Sequence, residues 1–239
     1  MKPYNQSDQT KTEEVRTMFD NIAPTYDRLN HTLSMNIDRL WRRRVVRIVR
    51  RSQPHRILDL ATGTGDLAIA MARHIQGSQV LGIDLSRGML DVARHKVTTA
   101  GVDERVVLDL GEAEHLSIAS DSIDVTTVAF GVRNFGDLEA GLREIARVLK
   151  PGGKVVILEF STPSNGLIRS IYHLYNHRIL PRIGGMISRD RSAYEYLPDS
   201  IEEFPAPALF LQLMHTAGFR NCHARSQSFG IAQIYIGEK

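Results

Sequence analysis

The stretch DLATGTGDLA, residues Asp59 to Ala68, decides the fold of this chain. The apolar run RILDLA leads into it, two glycines follow, and a helical pattern begins at Asp66. A glycine turn between a buried strand and a helix is typical of the first connection in an open α/β sheet, where ligands bind beyond the carboxyl ends of the strands. The stretch therefore predicts a ligand site formed by Gly63 and Gly65, with a tight turn that merely needs glycine as the alternative.

The residues after the glycines favour a ligand without a pyrophosphate. Leu67 and Ala68 stand where a dinucleotide fingerprint has its third glycine, and Asp66 in the first helical turn would repel a phosphate. S-adenosylmethionine has no phosphate, and its ammonium and sulfonium groups suit an acidic turn. We therefore favour this methyl donor over a nicotinamide dinucleotide.

Short apolar runs alternate with helical patterns after residue 54. The runs QVLGID, RVVLDL, SIDVTTVAF and GKVVILEF follow RILDLA, and helices are predicted from Asp66, Ser86 and Asp137. Strands that are apolar on both faces imply a parallel sheet covered by helices on both sides. NCHARSQSF and GIAQIYIG predict two closing strands. The expected fold is a doubly wound, seven-stranded, mostly parallel α/β sheet.

Two segments lie outside this alternation. Residues 1–52 read as a polar tail and two helices, the second from about Asp38 to Arg51, and we expect them to cover the active site. Residues 53–239 form the α/β domain. Within it, residues 162–205 predict a helical insertion before the last two strands, placed over the edge of the sheet.

Composition sets the broad class. The 239 residues are 42% hydrophobic and 24% charged with a formal charge of +3, as in an ordinary globular domain. Cys222 is the single cysteine, so no internal disulfide can form. No apolar run approaches the roughly 18 residues of a membrane span, and the polar start lacks a secretory core. We expect a cytoplasmic protein.

Two further positions suit the same methyl donor. Asp84 ends the strand VLGID, where a carboxylate can accept protons from both ribose hydroxyls, although it could instead only cap the next helix. Glu112 and Ala113 follow the third strand, where an adenine edge would lie.

Longer motifs resemble a known family. LDLATGTGD, GIDLS, GEAEHL and REIARVLKPGGKVVILEF are similar to class I S-adenosylmethionine-dependent methyltransferases, which have a Rossmann-like fold. VRTMFDNIAPTYDRLNHTLSMNIDRLWRR, VTTVAFGVRNF, YHLYNHRILPRIGG and DRSAYEYLPDSIEEFP narrow the resemblance to the C-methyltransferases of menaquinone and ubiquinone biosynthesis. This resemblance runs from about Val15 to the C-terminus.

The resemblance implies a donor site and a reaction. Thr64 and Asp84 would contact S-adenosylmethionine, with Glu112 and Ala113 at its adenine. The reaction would be C-methylation of the ring of a prenylated demethylquinol, and we favour demethylmenaquinol to menaquinol, the last step of menaquinone biosynthesis. The equivalent ubiquinone precursor, or another small molecule, is the alternative.

The acceptor must become nucleophilic, which requires a base and donors to a phenolate. Arg133 and Asn134 of FGVRN, after the fourth strand, could donate hydrogen bonds to the phenolate oxygen. Tyr26 of APTYD could fold over the pocket. A surface salt bridge is the alternative for Arg133. Asp66, Tyr26 or a held water are candidates for the base. Nothing in this chemistry calls for a metal.

Other features are assigned more ordinary roles. His173 and His177 have the spacing of two zinc ligands on a helix, but no third ligand is evident, so packing explains them better. The basic run WRRRVVRIVRR predicts a solvated helix face first, contact with anionic lipid second and nucleic acid last.

The same residues bear on the expected partners and on the alternative functions. The expected partner is a prenylated quinol, with peripheral contact at the inner face of the membrane and a homodimer as further expectations. A nucleic-acid methyltransferase is disfavoured because AFGVRN replaces an Asn-Pro-Pro-Tyr-like motif. A non-catalytic protein that only binds the donor would need no acceptor pocket, and Arg133 with Asn134 argues mildly against it.

Overall fold

The computed structural model describes residues 1–4, 8–175 and 192–239. Its strands are β1 Arg56–Leu60, β2 Gln79–Asp84, β3 Val106–Leu110, β4 Ile123–Ala129, β5 Leu149–Phe160, β6 Arg220–Gln227 and β7 Ala232–Glu238. They form one seven-stranded sheet in the order β3-β2-β1-β4-β5-β7-β6. Strands β1 to β5 pair in parallel, and β7 runs antiparallel to both of its neighbours. The predicted sheet is confirmed.

The described helices begin close to the predicted positions. They are α1 Lys11–Ile22, α2 Tyr26–Leu33, α3 Ile37–Arg50, α4 Asp66–His74, α5 Arg87–Ala100, α6 Leu138–Val148, α7 Gly166–Leu174, α8 Ser192–Glu203 and α9 Pro207–Thr216. Ser86 and Asp137 cap α5 and α6 by accepting from the N–H groups of Met89 and Ala140. Pro24 ends the first helical pattern within a short 3₁₀ turn, as its missing N–H requires. Helix α2, directly after it, was not predicted.

The strand residues divide between two apolar cores. Ile57 packs with α3, α4 and Val97 of α5 on one face, while Leu58 packs with α6 and α9 on the other. Successive side chains of a strand point to opposite faces, so a fully apolar strand needs helices on both sides. This is the physical basis of the doubly wound prediction.

The chain reverses its direction of winding between β1 and β4, which are adjacent in the sheet. At such a switch point the connections leave in opposite directions and open a crevice at the carboxyl ends of the strands. The glycine turn after β1 and the FGVRN segment after β4 both lie there.

The N-terminal helices and the insertion share a third apolar cluster. Val15, Leu29 and Met89 are buried together with Ala193 and Tyr196 of the insertion. The described part of the insertion therefore packs on α1 and α2 and on the turn after β4, above the middle of the sheet, and not over the sheet edge as expected. The amphipathic N-terminal helices supply the apolar surface that draws it there.

The helices of the described ranges are α1 to α9. None of these helices combines the length and the apolar content that a bilayer crossing requires.

Candidate active site

The two glycines of the first turn are needed for different reasons. Gly63 has a φ of 57°, and a Cβ added there would meet nothing within 4 Å, so this backbone faces open space. Gly65 has a φ of 81° at the start of α4, and its added Cβ would lie 3.3 Å from Cβ of Ala93. Gly63 thus leaves room for a ligand, whereas Gly65 allows α4 and α5 to approach.

The buried carboxylate of Asp59 stabilises this turn through hydrogen bonds. Asp59 accepts hydrogen bonds from the hydroxyls of Thr62 at 2.7 Å and Thr127 at 2.6 Å. Burial raises the pKa of Asp59 to about 6, despite both hydrogen bonds. Sequence reasoning missed this role, although an aspartate inside the apolar run RILDLA was a signal for it.

Asp84 lies at the end of β2, as predicted, with 7% of its surface exposed. Its carboxylate accepts from the backbone N–H of Gly63 at 2.7 Å and of Ser86 at 2.9 Å. Burial raises its pKa to about 6, and these two hydrogen bonds oppose the rise. The carboxylate therefore links the first turn to the start of α5.

A cavity of about 630 Å³, including the space at its mouth, opens above this carboxylate. Its lining includes six of the predicted site residues: Gly63, Asp84, Glu112, Ala113, Tyr26 and Asn134. We call it the donor cavity. Thr12 and Phe19 of α1 also line it, so α1 closes one side.

Thr64 and Gly65 do not line the donor cavity. The hydroxyl of Thr64 is buried and donates to Asp27 of α2 at 2.5 Å, and it accepts from Lys96 at 3.1 Å. Its side chain ties α2 to the turn, so only its backbone is left for the predicted donor contact.

Asp66 differs from its predicted role. Its carboxylate pairs with Lys96 at 2.6 Å, and it does not line the donor cavity. Burial alone would raise the pKa of Asp66, but the charge of Lys96 leads the interactions that hold it below its usual value. The charge that was expected to attract a cationic ligand is thus engaged by Lys96, which also pairs with Asp27 at 2.5 Å. The sequence could not show this pairing because Lys96 is distant in the chain.

Two residues with left-handed backbone face each other across the switch point. Ala61 after β1 has a φ of 54°, and Phe130 after β4 has a φ of 61°. A Cβ on Gly131 would lie only 2.4 Å from Cβ of Ala61, so the two turns touch. Non-glycine residues adopt this conformation at a cost of about 1–2 kcal/mol each, and such strain is concentrated at functional sites.

Arg133 follows this strained turn and is almost completely buried. Its guanidinium donates to Glu159 of β5 at 2.8 Å and to the carbonyl oxygen of Phe130 at 2.5 Å. It also donates to Ser200 of the insertion at 3.3 Å. The salt bridge weighed for Arg133 exists, but it is buried in the site and not on the surface.

Asn134 is 4% exposed and has one half of its amide unpaired. Its Oδ1 accepts from the hydroxyl of Tyr196 at 3.1 Å, while its buried Nδ2 has no hydrogen-bond partner among the described residues. A buried donor without a partner costs about 1–3 kcal/mol. Because Asn134 lines the donor cavity, a ligand can supply the missing acceptor.

A second, larger cavity of about 1530 Å³, including the space at its mouth, adjoins the first. Its lining is mainly apolar and comes from α1, α2, α3, α7 and α8, with Arg133 among the polar groups. We call it the acceptor cavity. Phe19, Tyr26 and Phe130 line both cavities and form their common wall.

Tyr26 lines both cavities, at the wall between them. Its ring meets that of Phe19 edge to face at 6.1 Å. Burial raises the pKa of the Tyr26 hydroxyl, so this group is a proton donor at neutral pH.

The two histidines with zinc-ligand spacing, His173 and His177, lie near the end of the first described part of the insertion and beyond it. His177 lies outside the described residues, and the exposed His173 has its Nε2 3.9 Å from Glu202. Among the residues that are described, no cluster of three or more histidine, cysteine or acidic side chains could hold a metal.

Solved structures show the same fold. A SAM-dependent methyltransferase from Thermotoga maritima matches with a TM-score of 0.62 at 17% identity, over 93% of this chain and 99% of that one. The cyclase SpnF matches with a TM-score of 0.67 at 17% identity, over 95% and 96%.

Comparison with protein sequences identifies a specific family within this fold. A demethylmenaquinone methyltransferase of Bacteroides fragilis is 43% identical over all of this chain and 97% of its own. A ubiquinone/menaquinone biosynthesis C-methyltransferase of Geobacter sulfurreducens is 48% identical over 96% of this chain and 90% of its own. The model of the ubiE/COQ5 methyltransferase family matches residues 7–239. The chain therefore belongs to the ubiE/COQ5 methyltransferase family.

Proposed function

We propose that this enzyme transfers a methyl group from S-adenosylmethionine to a ring carbon of a prenylated quinol, with demethylmenaquinol as the favoured acceptor. The observation that carries the proposal is the common wall of Phe19, Tyr26 and Phe130 between a cavity with a buried carboxylate and a larger apolar one. The relatives named above act, by their names, in menaquinone or ubiquinone biosynthesis.

In this proposal the donor cavity holds S-adenosylmethionine, whose sulfonium makes its methyl group electrophilic. Asp84 accepts hydrogen bonds from the ribose hydroxyls, and Glu112 and Ala113 flank the adenine. Gly63 supplies the open space beside the ribose. Helix α1 covers the site, because Lys11 donates to the carbonyl oxygens of Arg133 and Phe135 and thereby holds α1 to the turn after β4.

The acceptor ring lies against the common wall, with its prenyl tail in the acceptor cavity. Loss of the phenolic proton moves charge onto the neighbouring ring carbon, which then forms the C–CH3 bond as the S–CH3 bond breaks. The ring hydrogen leaves as a proton, and aromaticity returns. Arg133 and the free Nδ2 of Asn134 stabilise the phenolate oxygen during this step.

Of the three candidate bases a water molecule is favoured, which passes the phenolic proton on to bulk solvent at the mouth of the cavity. Asp66 lines neither cavity, and the raised pKa of Tyr26 makes its hydroxyl a donor to the phenolate oxygen. A dry apolar pocket then limits side reactions with bulk water.

The test is an assay with labelled S-adenosylmethionine against reduced demethylmenaquinone and the ubiquinone precursor, side by side. We expect transfer to the menaquinone precursor at the higher kcat/KM. Transfer to the ubiquinone precursor alone would show that this precursor, and not demethylmenaquinol, is the acceptor. Transfer to neither would refute the proposed function.

The rim of the acceptor cavity supports a peripheral contact with an anionic membrane. Met35 and Ile171 line the cavity yet are 75% and 62% exposed, so they stand at its mouth. Leu167 and Leu174 lie on the same exposed stripe of α7. The hydroxyl of Tyr175 donates to the carbonyl oxygen of Leu33 at 2.7 Å, which places α7 beside the start of the arginine-rich α3. A prenyl tail could pass from the bilayer through this rim.

Sedimentation with vesicles of phosphatidylglycerol and phosphatidylcholine tests the contact. We expect binding at low salt that weakens with neutral vesicles and in the double variant Leu167→Ser/Ile171→Ser, whereas Arg94→Ala on α5 binds normally. Absence of binding to anionic vesicles at low salt would refute it. Homodimer formation stays a prediction, for light scattering to check.

A further inference from the structure

A second guanidinium group lies on the wall of the acceptor cavity. Arg42 of α3 pairs with the carboxylate of Asp38 one helical turn earlier, and its side chain is only 14% exposed. Its Cζ lies 5.4 Å from the centroid of the Phe130 ring. The sequence predicted a solvated basic face for α3, but this arginine points inward.

Arg42 and Arg133 each lie over one ring of a stacked aromatic pair. The rings of Phe130 and Phe160 stack with centroids 4.5 Å apart and planes at 29°. Cζ of Arg133 lies 5.5 Å from the centroid of Phe160. Both stacked rings and both arginines line the acceptor cavity. The acceptor cavity therefore has a guanidinium group from each of two elements on its wall.

Arg42 is held in place and still has free donors. Its partner Asp38 is buried and also accepts from Ser34 at 2.6 Å and from His31 Nδ1 at 2.9 Å, so the carboxylate is fixed. Within the described ranges, Asp38 is the only acceptor of a hydrogen bond from Arg42. A guanidinium carries five N–H donors in a rigid fork, so most of them remain available to a ligand.

We infer that Arg42 binds the second oxygen of the acceptor ring, the one remote from the methylated carbon. The inference rests on the proposed function, in which Arg133 serves the oxygen beside that carbon. A quinol carries its two oxygens on opposite edges of the ring, and the two arginines come from different elements on the wall of one cavity. Arg42 is then a specificity residue that favours a quinol over a ring with a single hydroxyl.

The test compares two ligands on the full-length Arg42→Ala variant. One is a short-tailed prenylated naphthalene-1,4-diol kept reduced, and the other is its analogue without the remote hydroxyl. We expect kcat/KM for the diol to fall at least about tenfold, the usual scale for a lost charged hydrogen bond. The inhibition constant of the analogue should change less than about threefold.

Equal losses for both ligands, or no loss for the diol, would overturn the inference. Failure of the unaltered enzyme to methylate the diol would instead refute the proposed function. The variant Arg42→Ala/Asp38→Asn removes both charges, and full recovery of diol turnover in it would show that an unpaired Asp38 caused the loss.

Arg143→Ala is the matched control. Arg143 pairs with Glu139 at the same i,i+4 spacing, but both side chains are exposed on α6. We expect diol turnover in this variant to equal that of the unaltered chain. Donor affinity, measured by calorimetry, should stay unchanged in all of these variants, which shows that the donor site is folded.

Discussion

The hydroxyl of Tyr196 in α8 donates to Oδ1 of Asn134 after β4 across 3.1 Å. This bond joins the insertion to the centre of the site. It holds Oδ1 of Asn134 toward Tyr196, so that Nδ2 is the amide atom left without a partner among the described residues. Burial raises the pKa of Tyr196 to about 12, so its hydroxyl keeps the donated proton throughout the physiological range.

Tyr196→Phe should therefore lower kcat several-fold, because the Asn134 amide is then free to turn its oxygen toward the phenolate. Stability should fall by about 1 kcal/mol, the net worth of one hydrogen bond. Ser78→Ala is the control, since it removes a buried hydroxyl bond to the carbonyl oxygen of Ile75 away from both cavities. Equal kcat values in the two variants would show that Tyr196 has no positioning role.

Asp84 predicts how donor affinity depends on pH. Its pKa in the free enzyme is about 6, and the ribose hydroxyls are bound by the ionised form. Donor affinity should be constant above pH 7 and fall toward tenfold per pH unit below pH 6. Calorimetric titrations at pH values from about 5 to about 8 measure this pH dependence. The variant Asp84→Asn should bind the methyl donor weakly, with an affinity that does not change with pH.

The same shift has a consequence for folding stability. Because the pKa of Asp84 is raised from 3.8 to about 6, its contribution is present below pH 3.8 and is lost as the pH rises through about 6. Donor-free Asp84→Asn should therefore gain about 1–3 kcal/mol relative to the unaltered chain at pH 8, and little at pH 4. Denaturant titrations at both values check this. A gain of equal size at both would contradict it.

Arg133→Ala should keep donor binding and lose most turnover. Glu159 is fully buried, so removal of its partner also leaves an uncompensated carboxylate and destabilises the chain by about 3–5 kcal/mol. The double variant Arg133→Ala/Glu159→Gln relieves that penalty and should remain inactive. Stopped-flow turnover with denaturant midpoints separates the two effects. Near-normal turnover in the double variant would remove Arg133 from the mechanism.

Asp66→Asn should bind S-adenosylmethionine with an affinity within about threefold of the unaltered chain, since this carboxylate pairs with Lys96 and lines neither cavity. Asp84→Asn is the contrasting variant. A loss in Asp66→Asn as large as in Asp84→Asn would restore the direct electrostatic role that the sequence suggested.

The sequence by itself determined the sheet and the place of the site. Fully apolar runs separated by helical periods admit few arrangements besides a doubly wound sheet, and the turn after its first strand marks the ligand crevice. Asp84 and the residues of FGVRN were predicted as site residues because Asp84 ends β2 and FGVRN follows β4. The local pattern also placed the caps Ser86 and Asp137 correctly.

Only the tertiary structure decided what the side chains do there. Asp66 pairs with Lys96, and Arg133 pairs with Glu159. The orientation of the Asn134 amide is set by a hydrogen bond from Tyr196. Each of these partners is distant in sequence. Such pairings depend on how helices pack across the sheet, which local periodicity does not specify. Arg42 shows the same limit, because one strongly basic helix has some arginines in solvent and this one facing the acceptor cavity.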